Sequence, residues 1–297
     1  MISSSKFLEN AYLGKNSWWR FTLSFFTILL FYFLGVFISG LIGIYLNNGT
    51  VPKEMSAFIV EHSNTFVSSI ATNLEFIAGL IGLFLAVKFI HKRKSISLIT
   101  TSSKINWKNI LWGAIVYFVI YTIVEIVYSY YYGNSFQFVL QTDKFFTLAF
   151  ISLLIVPLQT SFEELFHRGY LLQTLNYYLG YPIITLFITS IFFASLHLEQ
   201  PNYLIFYFIS GLLLGMIVIV SNSLELVLGI HIVHNLFVLF IADNSTDISL
   251  FYHKENPENF FIWLIPDIII FIIVLYKYGN SNLKLLFVKS TLKRNII

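Results

Sequence analysis

Apolar residues along this chain run in long unbroken stretches instead of alternating with polar ones at a surface-helix or strand period. A helix needs about 20 such residues to cross the hydrocarbon layer of a bilayer. The first stretch runs from about Phe21 to Tyr45, the second from about Phe66 to Ile90, and the third from about Ile110 to Tyr131. A fourth begins near Phe145 and continues past Pro157. Three follow closely, about Pro182 to Leu198, Tyr203 to Val220 and Leu224 to Ile241, and the last covers about Phe260 to Tyr276. Lys6, Glu9 and Lys15 precede the first stretch, which is too long for the apolar core of a signal peptide and reads as a span. The pattern predicts an all-α, polytopic integral membrane protein with about eight transmembrane helices.

Composition agrees. Only 11% of the residues are charged while 57% are hydrophobic, against about 25% charged in an ordinary soluble domain. Charge also orders the spans, because cytoplasmic loops collect Lys and Arg. Lys6, Lys15 and Arg20 precede the first span; Lys92, Arg93, Lys94, Lys104 and Lys108 follow the second; Lys277, Lys284, Lys289, Lys293 and Arg294 follow the last. The opposite loops are richer in acids, with Glu54, Glu61, Asp243, Asp247, Glu255 and Glu258. An even span count in a cell membrane, with both termini cytoplasmic, satisfies all of these. Nucleic acid is not an expected partner, since the basic residues flank spans and form no single face. With no cysteine, disulfides and thiolate metal sites are excluded. Three regions are expected: N-terminal scaffold helices over 1–143, a core over 144–241, and a final helix with a basic tail over 242–297.

An ionisable residue inside a span costs about 2.5–3.5 kcal/mol at the bilayer centre, so each requires a reason. Glu75 and Glu125 read as buried, hydrogen-bonded carboxyls, and Glu199 and Glu225 as helix-end residues. The segment from Thr160 to Gly169 instead packs Glu163, Glu164, His167 and Arg168 into one helical stretch. Glu164 and Arg168, four apart, can pair on one face. Two further sites, Phe193 with His197 and His231 with Asn235, each have a four-residue spacing in an otherwise apolar run. A turn at Leu179-Gly180-Tyr181-Pro182 would join two antiparallel helices. Glu163 lies 17 positions before Gly180 and His197 lies 17 after. The two would therefore sit level, roughly 25 Å from the turn. Spacing alone does not force His231 and Asn235 to join them.

Hydrolysis of an amide needs an activated water and donors for the oxyanion. Glu163, His197, His231 and Asn235 could supply one group for each task, with Glu164 and Arg168 locking the helix. Glu163-Glu164-x-x-x-Arg168-Gly169, Phe193-x-x-x-His197 and His231-x-x-x-Asn235, in this order, resemble the three motifs of the CAAX-protease and bacteriocin-processing family of intramembrane endopeptidases. That family includes the type 2 CAAX prenyl proteases and the Abi and lysostaphin-resistance proteins. The resemblance covers about Phe145 to Phe240. It implies that Glu163 and His197 activate water and that His231 and Asn235 form the oxyanion site. Glu164, Arg168 and Phe193 would support them, on a peptide or protein substrate at the lipid bilayer. His167 departs from the family pattern, which commonly has an aromatic residue there. No cofactor is expected; a zinc held by His197, His231 and Glu163 is a less favoured variant, because no His-Glu-x-x-His arrangement is present. The competing reading is a non-catalytic membrane protein, either a bacteriocin immunity factor or a carrier.

Overall fold

Each of the eight apolar stretches carries a helix in the computed structural model. It describes residues 5–51, 53, 67, 70–132, 137–138, 142–198, 201–242, 251–252 and 262–289. The helices are α1 (Trp18–Leu46), α2 (Leu74–Leu85), α3 (Trp107–Tyr132), α4 (Thr142–Glu164), α5 (Leu172–Leu179), α6 (Pro182–Ser195), α7 (Leu204–Ser221), α8 (Glu225–Phe237) and α9 (Leu264–Tyr278). A π-helical segment, Leu165–Leu171, joins α4 to α5 without a break. Among the described residues, four helices are long and apolar enough to cross a membrane: Trp18–Leu46, Trp107–Tyr131, Ala149–Leu179 and Pro201–Ser221. All eight stretches expected to span are helical, and four of the helices have the full crossing length. Glu54, Glu61, Glu199, Asp243, Asp247, Glu255, Glu258, Lys293 and Arg294 lie outside the described residues.

The outer surface is what a bilayer requires. Phe26, Leu30, Phe33 and Phe37 of α1 are each about 60% exposed. Such a contiguous apolar face is stable against lipid and unfavourable against water. This is a helical membrane protein.

Without a hydrophobic force between helices in lipid, packing is governed by small residues and ring contacts. Gly113 of α3 faces the Leu226 backbone of α8, and Gly229 of α8 faces the Ile110 backbone of α3. A side chain at either glycine would strike a carbonyl, so the pair sets how closely α3 and α8 approach. The opposite flank is held by rings. Tyr32 of α1 stacks on Phe162 (5.6 Å), Phe162 on Phe166 (5.7 Å), and Phe166 on Tyr170 (6.3 Å). The four-residue spacing from Phe162 to Tyr170 makes one continuous ladder that binds α4 and its extension to α1.

The expected hairpin is present. Gly180 closes α5 in the left-handed conformation at φ 74°, and Pro182 opens α6 at its first turn. A left-handed turn favours glycine, and the proline's fixed φ suits a helix start. Glu225 begins α8, as expected. Its carboxylate accepts hydrogen bonds from the Asn106 backbone N–H (2.7 Å) and Asn109 Nδ2 (2.9 Å), tying the starts of α8 and α3 together. The one extended pairing of strands among the described residues joins Gln137–Phe138 to Phe251–Tyr252.

Gly229→Val should lower stability in detergent by about 1–3 kcal/mol, the usual cost of overpacking a fitted contact. Gly40→Val, where an added Cβ meets nothing within 4 Å, should leave the melting temperature of the purified protein unchanged. Equal melting of both variants would remove the glycine contact as the determinant.

Candidate functional site

Helices α4 and α8 run antiparallel with two polar rungs between them, one helical turn apart. In the first, His231 Nδ1 lies 2.7 Å from Glu164 Oε1. In the second, Asn235 Nδ2 donates to Thr160 Oγ1 at 3.0 Å. The rungs follow from the matching four-residue spacings, Thr160 to Glu164 on one helix and His231 to Asn235 on the other. Close approach of α8 to α3 and ring contact of α4 with α1 hold both helices in place.

Glu164 is fully buried, and its Oε1 also accepts from Arg168 Nη1 at 2.8 Å. The i,i+4 ion pair expected from the sequence is therefore present, with a third member that the sequence did not indicate. Facing a carboxylate already paired with a guanidinium, His231 Nδ1 acts as the donor, and this fixes the ring's orientation. Its other nitrogen, Nε2, is then directed at Glu163, whose Oε2 is 3.5 Å away. Glu163 Oε1 accepts from Gln159 Nε2 at 3.3 Å, and its side chain keeps 15% exposure. Consecutive acids thus occupy unlike settings: Glu164 is sealed and charge-paired, while Glu163 is partly open.

The segment following Glu164 is π-helical. Widened turns of this kind are frequent at functional sites. His167 lies in it, nearly fully buried, with Nδ1 bonded to the Glu163 backbone carbonyl at 2.6 Å. It reaches that residue's main chain and packs its ring on Phe193, centroids 5.2 Å apart.

Phe193 on α6 is the hub. Its ring lies 5.1 Å from that of His197 and 6.4 Å from that of His231, and the Arg168 guanidinium sits 4.3 Å above it. His197 is half-buried and falls beyond the end of α6, in the turn after Ser195. This corrects the expectation of a helical stretch running to about Leu198: α6 stops before the histidine is reached. The ring nonetheless turns back, placing Nδ1 3.1 Å from the Phe193 carbonyl, and stacks on Tyr207 of α7 at 3.8 Å.

Direct polar contacts thus unite Glu163, Glu164, Arg168 and His231. His197 joins through Phe193 and Asn235 through Thr160. Sequence reasoning passed over Gln159 and Thr160, and also a second polar chain. Tyr117 of α3 donates to Asp267 Oδ1 of α9 at 2.8 Å, and its oxygen lies 3.0 Å from His234 Nδ1 of α8. Asp267 is 2% exposed and flanked by Ser210 of α7. A lone acid within the last apolar stretch was the available signal. Among the described residues, no group of three His, Cys, Asp or Glu side chains is arranged to hold a metal ion.

Residues 143–237 match the family described as type II CAAX prenyl endopeptidase Rce1-like. The match spans all three motifs and agrees with the resemblance drawn from them. The chain is also 28% identical over 244 residues to the uncharacterized protein YyaK of Bacillus subtilis (strain 168), covering 78% of this chain and 81% of that protein. No solved structure matches the chain.

Removing one member of a buried charge group strands the others, at about 3–5 kcal/mol. Glu164→Gln should therefore destabilise the purified protein by about that amount in thermal unfolding. Glu163→Gln, with its partly open carboxylate, should cost less than about 1 kcal/mol. Similar melting of the two variants would contradict the distinction between the acids.

Proposed function

From the Rce1-like match over residues 143–237 and the polar cluster on its helices, we propose that this protein is an intramembrane glutamic endopeptidase. It hydrolyses a peptide bond in a membrane-associated or secreted peptide or protein. The observation that carries the reading is His231 held between two acids, 2.7 Å from Glu164 on one nitrogen and 3.5 Å from Glu163 on the other.

Glu163 is the base. It takes a proton from water as the hydroxide oxygen adds to the scissile carbonyl carbon. His197 shares that water: with Nδ1–H committed to the Phe193 carbonyl, the ring offers Nε2 as an acceptor. The charge on the former carbonyl oxygen is met by His231 Nε2–H, whose imidazolium form is compensated by Glu164 behind it. Asn235 contributes the amide proton not used on Thr160. Collapse of the tetrahedral intermediate breaks the carbon–nitrogen bond, and the proton held by Glu163 passes to the leaving amine. Arg168 keeps Glu164 fixed and rests on Phe193, so its role is positioning. The scheme uses no metal. Basic clusters at Lys15 and Arg20, at Lys92 to Lys94 and at Lys277 to Lys289 support a cytoplasmic position for both termini.

The test compares membranes carrying wild-type protein with membranes carrying Glu163→Gln, reading newly formed peptide termini by mass spectrometry. Termini present only with wild type are expected, and a peptide spanning that cleavage site then serves as substrate for the purified enzyme. On it, Glu163→Gln should lose at least about 10²-fold in kcat. Asn235→Ala should lose about 10²–10³-fold with KM little changed. Strict removal of divalent metals should leave the rate unchanged. Full activity of Glu163→Gln would overturn the assignment, and loss on chelation would overturn the metal-free scheme.

A further inference from the structure

At the end of α2 the chain makes one π turn, Ala86–Ile90, and then exposes a basic pocket of about 600 Å³ lined by Lys88, Phe89, Lys92, Arg93, Lys94 and Ser95. Four of its six lining residues are cations and none is an acid. Lys92 takes the left-handed conformation at φ 53°, uncommon for a residue with a side chain. Burial and the adjacent Arg93 push the His91 imidazole down to about 4. It is neutral at pH 7, and the charge of the pocket comes from lysine and arginine alone.

Arg93 distinguishes this pocket from an ordinary basic loop. It is 6% exposed, yet its Nη1 donates only to neutral acceptors, the Asn10 carbonyl (3.1 Å) and Gln173 Oε1 (2.7 Å). Among the described residues its Nε has no hydrogen-bond partner and no carboxylate pairs with it. A buried guanidinium with a spare donor and no counter-charge is matched best by an anion with several oxygens. We propose that this pocket binds the phosphate of an anionic phospholipid headgroup.

The surroundings favour a lipid over a free anion. Phe89 within the pocket is 59% exposed. The start of α1 is fastened to the same corner: Arg20 Nη1 donates to the Ile90 carbonyl, and the Lys15 backbone N–H donates to that of His91 (2.7 Å). Arg20 in turn lies 4.3 Å over the Trp19 ring, and Trp18 and Trp19 are 73% and 45% exposed. Exposed tryptophans mark the headgroup level of a membrane protein. The phosphate would meet Arg93 and the three lysines, while its acyl chains lie along the adjoining apolar surface. Basic pockets beside membrane helices are suited to such headgroups.

Full-length protein in detergent is titrated with fluorescent dioleoyl phosphatidylglycerol and, separately, with the phosphatidylcholine analogue. Wild type should prefer the anionic lipid. The exposed double substitution Lys92→Gln/Lys94→Gln should weaken phosphatidylglycerol binding by on the order of 30-fold at unchanged melting temperature. Lys104→Gln/Lys108→Gln, further along toward and into the first turn of α3 but outside the pocket, should bind like wild type. Equal affinity for both lipids, or wild-type binding by the Lys92/Lys94 variant, would overturn the proposal. An equal loss in the Lys104/Lys108 variant would reduce it to diffuse attraction and overturn it too. Displacement of the bound lipid by millimolar inorganic phosphate would point to a free anion as the occupant and overturn the lipid assignment.

Discussion

Glu164 is fully buried in a bundle whose outer face is hydrocarbon, and one of its oxygens meets both Arg168 and His231. Charges in such a place are tolerated only when each is met by its opposite. This constraint fixes three things together. It sets the rotation of α4 about its axis, since Glu164 must face α8. It sets the height of α8, since His231 must be level with Glu164. And it determines which nitrogen of His231 is left to face Glu163. The neighbouring rung from Asn235 to Thr160 repeats the match one turn away, so neither helix can slide without breaking both.

Around this group the packing is unusually dependent on rings. Phe193 contacts His167, His197 and His231 and carries the Arg168 guanidinium on its face. A phenyl ring here keeps water from the charged groups while presenting its electron-rich face to the cation. It also joins the turn bearing His197 to the helix bearing His231, two elements with no polar contact described between them. The chain from Asp267 through Tyr117 to His234 lies beside this group, the His234 ring 6.3 Å from that of His231, and links α8 to α3 and α9. Helix α8 is therefore tied by polar contacts to α4 and to the α3–α9 pair.

Much of this was legible in the chain because the bilayer imposes simple rules. Long apolar runs had to be helices, since backbone groups in lipid can be satisfied only internally. Gly180 followed by Pro182 had to be a turn, and Glu164 with Arg168 had to be neighbours on a helix. What spacing could not supply was rotation between helices. The pairing of His231 with Glu164 on one nitrogen and Glu163 on the other depends on how α4 and α8 face each other, and that is set by Gly113, Gly229 and the Phe162-to-Tyr170 ladder. His197 was expected on α6, but the helix stops at Ser195, and a side-chain bond to the Phe193 carbonyl together with stacking on Tyr207 brings the ring back. Asp267 went unremarked because a single acid in an apolar run has no spacing partner; its partners lie 150 and 57 residues earlier in the chain, at Tyr117 and Ser210.

The π segment from Leu165 to Leu171 has a consequence for how this helix can change over time. It carries a wider turn than the α-helices on either side, so it separates two angular registers. Upstream, Thr160 and Glu164 answer to α8. Downstream, Tyr170 and Gln173 answer to the corner around His91, Arg93 and Ser97. Losing one residue inside it would turn everything beyond by roughly 100° and unseat one set of contacts while sparing the other. Point substitutions can therefore drift within the segment, but its length cannot, and insertions and deletions among related chains should avoid these seven positions even where the surrounding letters diverge.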